Sequence, residues 1–282
     1  MGYLLISLKR AFRNLYVLTF LNGFLLACLF FFHVLSVYES GLFNSIKSNI
    51  DATITARDNR DSVLLRSMYV CYRLMHFRQS IFAGNAGRLG PQAGIFRSTS
   101  VDLNTAEGSC GSYCEVLVRI LETYHYPARI AQMKVNGTYG GHITVEAWSG
   151  DAWVALDPSY NLHYVRPDGR LASIADIRGN WDFYKKQVPS VYNPSYRYED
   201  VRYTNWSKIP LVMPALRWVI SLFLGAERTN GLSLRVFFLY VYDIYFYIVL
   251  ALELALLAGT IRLRIRIRRN PAGILLSPNP SW

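Results

Sequence analysis

The sequence predicts an α+β domain held between two membrane-spanning helices. Three observations predict it. Two long apolar runs lie near the two ends of the chain. The segment after the first run spaces its apolar residues as a helix does, and from Pro127 onward the pattern changes to the alternation of strands. The composition agrees: of 282 residues 52% are apolar and only 17% are charged, which excludes a disordered or fibrous chain. Mean hydropathy is +0.15, high for a water-soluble protein. Four cysteines are too few for a disulfide scaffold.

The first run is NLYVLTFLNGFLLACLFFFHVLSVY, the 25 uncharged residues 14–38 between Arg13 and Glu39. As a helix it covers roughly 37 Å, enough for the ~30 Å hydrocarbon core of a bilayer. A signal peptide has a shorter apolar region of ~7–15 residues and ends in small side chains. This run ends in His33-Val-Leu-Ser-Val-Tyr38 and is read as a retained anchor. The second run, 236–261, abuts RLRIRIRR, which carries Arg262, Arg264, Arg266, Arg268 and Arg269. Lys9, Arg10 and Arg13 flank the first run in the same way. Basic flanks mark the cytoplasmic side, so two crossings put both termini in the cytoplasm and residues 39–231 outside it. A third apolar stretch, 210–224, is short, contains Arg217 and is interrupted by Pro214. It is expected to lie in the outer interface with Arg217 and Trp218 at headgroup level.

The second span carries Asp243 and Glu253, which are expensive in lipid. Counted from the basic flanks, Asn22 matches Glu253 in depth and His33 matches Asp243, so these pairs are candidate contacts between antiparallel helices. Two other readings stand beside that one. Asp243 sits among interfacial tyrosines, or the two acids face a partner membrane protein.

Between the spans, Leu64, Leu65, Met68, Val70, Cys71, Leu74, Met75 and Phe77 predict a helix. A Gly-rich connection follows at 83–94, then Asn104-Thr-Ala-Glu107 and a second helix from about Cys110 to Tyr124. ARIAQMKV, HITVEAW and AWVALD then alternate as strands of an antiparallel sheet, and Val165-Arg-Pro-Asp-Gly169 is a turn by composition. The resulting organisation is a basic N-terminus 1–13, a first span 14–38, an extracytoplasmic domain 39–208, an interfacial helix and linker 209–231, a second span 236–261 and an Arg-rich tail 262–282.

Three segments carry chemistry: Glu107-Gly-Ser-Cys110-Gly-Ser-Tyr113, Gly141-His142-Ile-Thr-Val-Glu146, and Trp153-Val-Ala-Leu-Asp157-Pro158. A thiolate at Cys110, at a helix start, gains from the positive end of the helix dipole. His142 opens one strand and Asp157 closes the next, so an antiparallel pairing makes them neighbours. Thiol, imidazole and carboxylate are the minimum for a Cys–His nucleophile pair. The structural alternative makes Cys110 a small buried residue, His142 a satisfied core side chain and Asp157 a turn former.

Together these segments resemble the transglutaminase-like superfamily, a relative of the papain fold. Gly108-Ser-Cys110 matches its nucleophile at a helix start, Pro127-Ala-Arg129 its strand entry, His142 with Glu146 its His-led strand, and Trp153 with Asp157-Pro158 its close. The resemblance covers about residues 60–175. It departs from the family pattern at Thr144, where an aromatic residue is common, and at Ser112, where Asp is common. It implies a transglutaminase-like core with the Cys helix packed on the sheet, and a catalytic triad of Cys110, His142 and Asp157. It further implies a cysteine-dependent amidase, protease or transglutaminase, acting by acyl transfer or hydrolysis on a peptide or protein amide outside the cytoplasm. No cofactor and no metal site is implied. A cell-envelope peptide is the substrate guessed at, and hydrolysis is favoured over crosslinking. The alternative function is a non-catalytic membrane component that uses the domain as a binding or assembly module. The backbone N–H of Cys110 is a natural oxyanion donor, worth ~2.7–4 kcal/mol in comparable sites.

Cys114 lies one helical turn further in and is expected in the core, and a bridge from Cys71 to either thiol stays open. Val188 to Trp206 is rich in aromatics, Tyr192, Tyr196, Tyr198, Tyr203 and Trp206, which serve either a ligand or core packing. The net charge of +11 suggests nucleic acid at first sight. Residues 39–231, however, hold 21 Lys and Arg against 17 Asp and Glu, a net charge of only +4. Much of the rest lies in the two basic flanks, so the expected partners are the lipid bilayer and an amide substrate, with no nucleic acid. The location expected is the cytoplasmic (inner) cell membrane.

Overall fold

The computed structural model describes residues 14–82 and 97–269. The basic N-terminus 1–13, the Gly-rich connection and the tail beyond 269 lie outside the described residues. The chain is a mixed protein of helices and one antiparallel sheet, and two of its helices are long and apolar enough to cross a membrane. It divides into two compact units, one of residues 1–38 with 242–282, the other of residues 39–241.

The first unit is built from two helices, α1 (Leu15–Asp51) as far as Tyr38 and the last helix of the fold (Val241–Arg269) from Tyr242. They run antiparallel: Ser36 Oγ donates to Asp243 Oδ1 at 2.6 Å, and Asn22 Nδ2 donates to Thr260 Oγ1 at 3.1 Å. Phe32 packs on Tyr245 and His33 on Phe246. The pairs matched by depth, Asn22 with Glu253 and His33 with Asp243, are therefore not the hydrogen-bonded ones. Counting from the basic flanks measures depth but not which face of each helix meets the other. Asp243 takes Ser36, one turn from His33, and Asn22 takes Thr260, two turns from Glu253. Glu253 is buried.

The second unit holds the sheet. Helix α1 continues past Tyr38 because Leu42, Phe43, Ile46 and Ile50 recur at helical spacing, and Phe43 and Ile50 are buried in this unit's core. α2 (Arg60–Phe82) buries Val63, Leu64, Met68, Cys71 and Met75. α3 (Thr99–Thr105) starts on Ser98, whose side chain accepts from the Val101 N–H. Buried Glu39 accepts from the Thr99 hydroxyl and the Ser100 N–H, which places a carboxylate at the positive end of that short helix. α4 (Cys110–Thr123) is the central helix, and its residues from Val116 to Leu121 are all buried.

The strands are β1 (Ala128–Val135), β2 (Thr138–Trp148), β3 (Trp153–Asp157), β4 (Leu162–His163) and β5 (Val201–Arg202), in the order β4-β3-β2-β1-β5. β1 and β2 are joined by Asn136-Gly137, both at positive φ, the backbone of a tight hairpin turn. Alternation splits the sheet's side chains between two cores. Ile130, Val145, Val154 and Leu156 face α2 and α4. Ala131, Met133 and Ala155 face the other way, onto a layer that includes Tyr164, Tyr192 and Tyr198. That layer comes from α5 (Ile174–Gly179), α6 (Trp181–Tyr184) and the segment leading to β5.

α7 (Val212–Leu224) covers most of the third apolar stretch. Pro214 falls in its first turn, where a missing N–H costs nothing, and none of its residues is buried. α8 (Ala226–Asn230) and α9 (Leu234–Phe237) follow. The run expected as one span from 236 to 261 is divided after α9. Val236, Leu239 and Tyr240 pack against the core of the sheet-bearing unit, and α10 begins only at Val241. It then continues helical through the arginines to Arg269.

Candidate active site

Cys110 is the first residue of α4, so its N–H lies among the four that have no intrahelical acceptor. Ser109, at the N-cap, has φ 49° and ψ −129° and gives no side-chain cap. A non-glycine backbone in such a region costs of order 1–3 kcal/mol and persists where its surroundings hold it. The holding group is Ser112: its Oγ accepts from the Gly108 N–H at 2.8 Å and donates to Asp102 Oδ1 at 2.5 Å. Arg97 closes the cluster on Asp102 at 2.5 Å and on Ser112 at 3.0 Å. The resemblance expects a carboxylate at 112; here Ser112 is hydrogen-bonded to one that arrives from α3. A Cβ at 108 would stand 1.9 Å from the Arg97 guanidinium, so a larger residue there would displace Arg97 from this cluster.

His142 and Asp157 come together, but β2 begins at Thr138, so His142 lies inside its strand and does not open it. His142 Nε2 lies 2.6 Å from Asp157 Oδ2, and both side chains are buried. Asp157 Oδ1 also accepts from the Ser159 N–H at 3.2 Å. With Nε2 engaged, Nδ1 is the nitrogen left for the thiol, and Cys110 and His142 are close enough for each to shift the other's ionisation. Gly141 lets the strand enter: a Cβ there would meet that of Val135 at 2.6 Å.

The electrostatics separate the two thiols of α4. Burial opposes ionisation of Cys110, but the His142 hydrogen bond and charge, with the Ile143 N–H, hold its pKa below the usual 9.0. Burial would lower His142, yet the Asp157 charge and hydrogen bond, with Cys110, raise it from 6.5 to about 10. Burial pushes Cys114 well above 9.0, and its thiol donates to the Ile143 carbonyl at 3.3 Å. Cys71 donates to the Tyr113 carbonyl, and all four cysteines are unbridged.

Three aromatic residues surround the imidazole. Tyr196 stacks on it with centroids 4.2 Å apart and planes 5° apart, while Tyr160 and Tyr192 meet it edge-on at 5.8 and 6.5 Å. The aromatic segment thus divides its work: Tyr192 and Tyr198 are buried in the second core, and Tyr196 covers the base. Tyr160 carries no signal in the sequence beyond its place three residues after Asp157.

Arg129 and Glu146 are partners across β1 and β2 and form an ion pair at 2.7 Å. The Arg129 guanidinium lies between the rings of Trp153 and Tyr203, and Glu146 also accepts from the Tyr203 hydroxyl and the Ile174 N–H. Three residues of the quoted motifs therefore lock the sheet behind the site. Thr144, at the position where an aromatic is common, is buried and donates to the Leu156 carbonyl at 2.7 Å. No protein-family model, curated protein or solved structure matches the chain.

Proposed function

We propose that the chain is a membrane-anchored thiol enzyme with a transglutaminase-like, papain-like core, and that it cleaves or transfers an amide acyl group outside the cytoplasm. One observation carries the reading: a buried imidazole bound by Asp157 lies beside a thiol at an uncapped helix start and lowers that thiol's pKa. The Cys110 thiolate attacks the amide carbon and the negative charge moves to the carbonyl oxygen. The Cys110 N–H faces the developing oxyanion. The C–N bond then breaks as the His142 imidazolium gives its proton to the departing amine, leaving a thioester on Cys110. Water, or a second amine, gives a proton to His142 and attacks the thioester. The acyl group leaves as an acid or a new amide, and the thiolate returns. Asp157 holds the imidazole and its positive charge throughout.

Water is the acceptor we favour. The two basic flanks support a site outside the cytoplasm, and the exposed apolar helix α7, with Arg217 and Trp218, supports a contact with the outer interface.

The test is a membrane-impermeant thiol reagent applied to intact cells that produce the chain. Cys110 is expected to be modified faster than free cysteine at neutral pH, and His142→Ala is expected to remove the advantage. Modification no faster than free cysteine sinks the enzyme. Modification seen only after the cells are opened sinks the topology alone.

A further inference from the structure

A cavity of about 610 Å³ lies beside the first turns of α4. It falls within the ~300–1,000 Å³ usual for small-molecule sites. Cys110 does not itself line it, but two of its lining arginines reach the glycines on either side of that residue. Its Arg97 rests on Gly108, and its Arg235 guanidinium stands 3.0 Å from where a Cβ on Gly111 would be. Gly111 follows Cys110, and consecutive Cα atoms are about 3.8 Å apart.

The cavity has two characters. Its lining includes three cations, Arg97, Arg235 and Lys208, against one carboxylate, Glu115. Arg235 pairs with Glu115 at 2.6 Å and Arg97 with Asp102, while Lys208 makes no ion pair among the described residues. Burial pushes the Glu115 carboxyl up against the pull of Arg235. With both arginines paired, Lys208 is the cation left over among the described residues. The wall also has apolar side chains, Met213 and Leu216 from α7, Leu234 from α9, and Phe238. That wall continues onto exposed apolar surface: Phe238 is 68% exposed, Trp218 63% and Phe223 82%. Exposed surface of this kind on a monomer marks a contact with lipid or a partner.

We propose that this cavity seats the substrate of Cys110, and that the substrate is an amphiphile, an amide carrying a long hydrocarbon chain and a negatively charged group close to the scissile bond. The inference rests on the reading of Cys110 as a nucleophile. The chain lies along Met213, Leu216 and Phe238, and the anionic group lies between Arg235 and Lys208. Entry is from the apolar face of α7, so a substrate held in the outer leaflet reaches the thiol without leaving the membrane surface.

The test is alkylation of Cys110 in the full chain, held in neutral detergent, with four iodoacetyl probes. 2-(Iodoacetamido)tetradecanoic acid carries chain and carboxylate, N-dodecyl iodoacetamide the chain alone, N-iodoacetylglycine the carboxylate alone, and iodoacetamide neither. The first probe is expected to outpace each single-feature probe by about tenfold or more, the size of one charge-assisted contact. Lys208→Gln and Arg235→Gln are expected to erase its lead over the chain-only probe. Leu216→Asp is expected to erase its lead over the carboxylate-only probe. Each effect is a ratio of two rates on one variant, so a change in thiol reactivity cancels. Micelle partition is common to the wild type and every variant. Equal rates for the first probe and either single-feature probe overturn the proposal, as do leads that survive all three substitutions. If iodoacetamide itself modifies Cys110 no faster than free cysteine, the nucleophile reading fails, whatever the probe ratios are.

Discussion

Cys110 and Cys114 stand one turn apart on the same helix, in the near-repeat Gly108-Ser-Cys110-Gly111-Ser-Tyr-Cys114, and their surroundings are opposite. Cys110 is half-buried, has an imidazole and a backbone N–H at its sulfur, and sits at the uncapped positive end of α4. Cys114 is sealed in the first core, and its thiol has only a carbonyl to donate to. The difference teaches that position along the helix decides reactivity more than local sequence does. One turn changes a group that the dipole and a base ionise into one that burial keeps neutral.

The largest effect that can break this contrast comes from removing the first thiol. Cys110→Ala is expected to abolish amide turnover and fast thiol labelling, while Cys114→Ala leaves both within about twofold, since surroundings and not thiol count set the rate. Mass spectrometry of labelled peptides checks it, and fast labelling of Cys114 would contradict it.

Next in size is the carboxylate behind the base. Asp157→Asn keeps the shape but removes the charge that raises His142 and the acceptor that fixes its tautomer. Comparable triads lose about 10⁴-fold in turnover from such a change. Turnover falling less than tenfold would mean that Asp157 only shapes the turn.

The pH profile sharpens the same contrast without a mutation. Labelling of Cys110 follows its thiolate, so it rises with pH through a pKa below 9.0 and reaches its plateau earlier than free cysteine does. Turnover also needs the imidazolium proton, which is lost as pH climbs through the raised His142 value of about 10. The expected profile is a bell whose alkaline limb moves to lower pH in Asp157→Asn. An alkaline limb unmoved by that substitution would assign it to another group.

Much of this site is legible in the sequence because it is written locally. Cys110 starts α4 and Asp157 ends β3, and element ends follow from periodicity and turn residues, whereas Gly141 and His142 lie inside β2, which begins at Thr138. Antiparallel pairing of neighbouring strands then brings His142 to Asp157. What stayed hidden depends on contacts distant in sequence. Tyr196 lies 54 residues after the imidazole it covers, inside a segment with no regular spacing. Asp102 reaches Ser112 from a different helix. The continuation of α1 to Asp51 was obscured by Glu39, whose charge reads as the end of a span until its buried partners, Thr99 and Ser100, are known.

Tyr196 gives a smaller effect. Its ring lies flat on the imidazole, so it shields the His142–Asp157 pair from water and limits the ring's rotation. Tyr196→Ala is expected to lower turnover by about tenfold, the scale of one aromatic contact of ~0.5–1.5 kcal/mol. Tyr196→Phe keeps the ring and is expected to keep the rate. Equal losses in both variants would transfer the role to the hydroxyl.

The smallest expected effect is on the other thiol, and it tests whether Cys114 matters only as volume. Its side chain is fully enclosed among Val118, Leu117 and the sheet-facing core, and the carbonyl it donates to belongs to Ile143, the residue whose N–H serves Cys110. If Cys114 acts only by packing, Cys114→Ala costs about 1–2 kcal/mol through the space it leaves. The unfolding midpoint then falls by about 2–4 °C per kcal/mol for a domain of this size, with the labelling rate of Cys110 unchanged. If instead the Cys114 thiol helps to hold the Ile143 peptide against the nucleophile, the Cys110 pKa rises in the variant and labelling near neutral pH slows. Cys114→Ser separates the two readings. A hydroxyl keeps a donor for the Ile143 carbonyl, so it restores the labelling rate under the second reading and changes nothing but stability under the first.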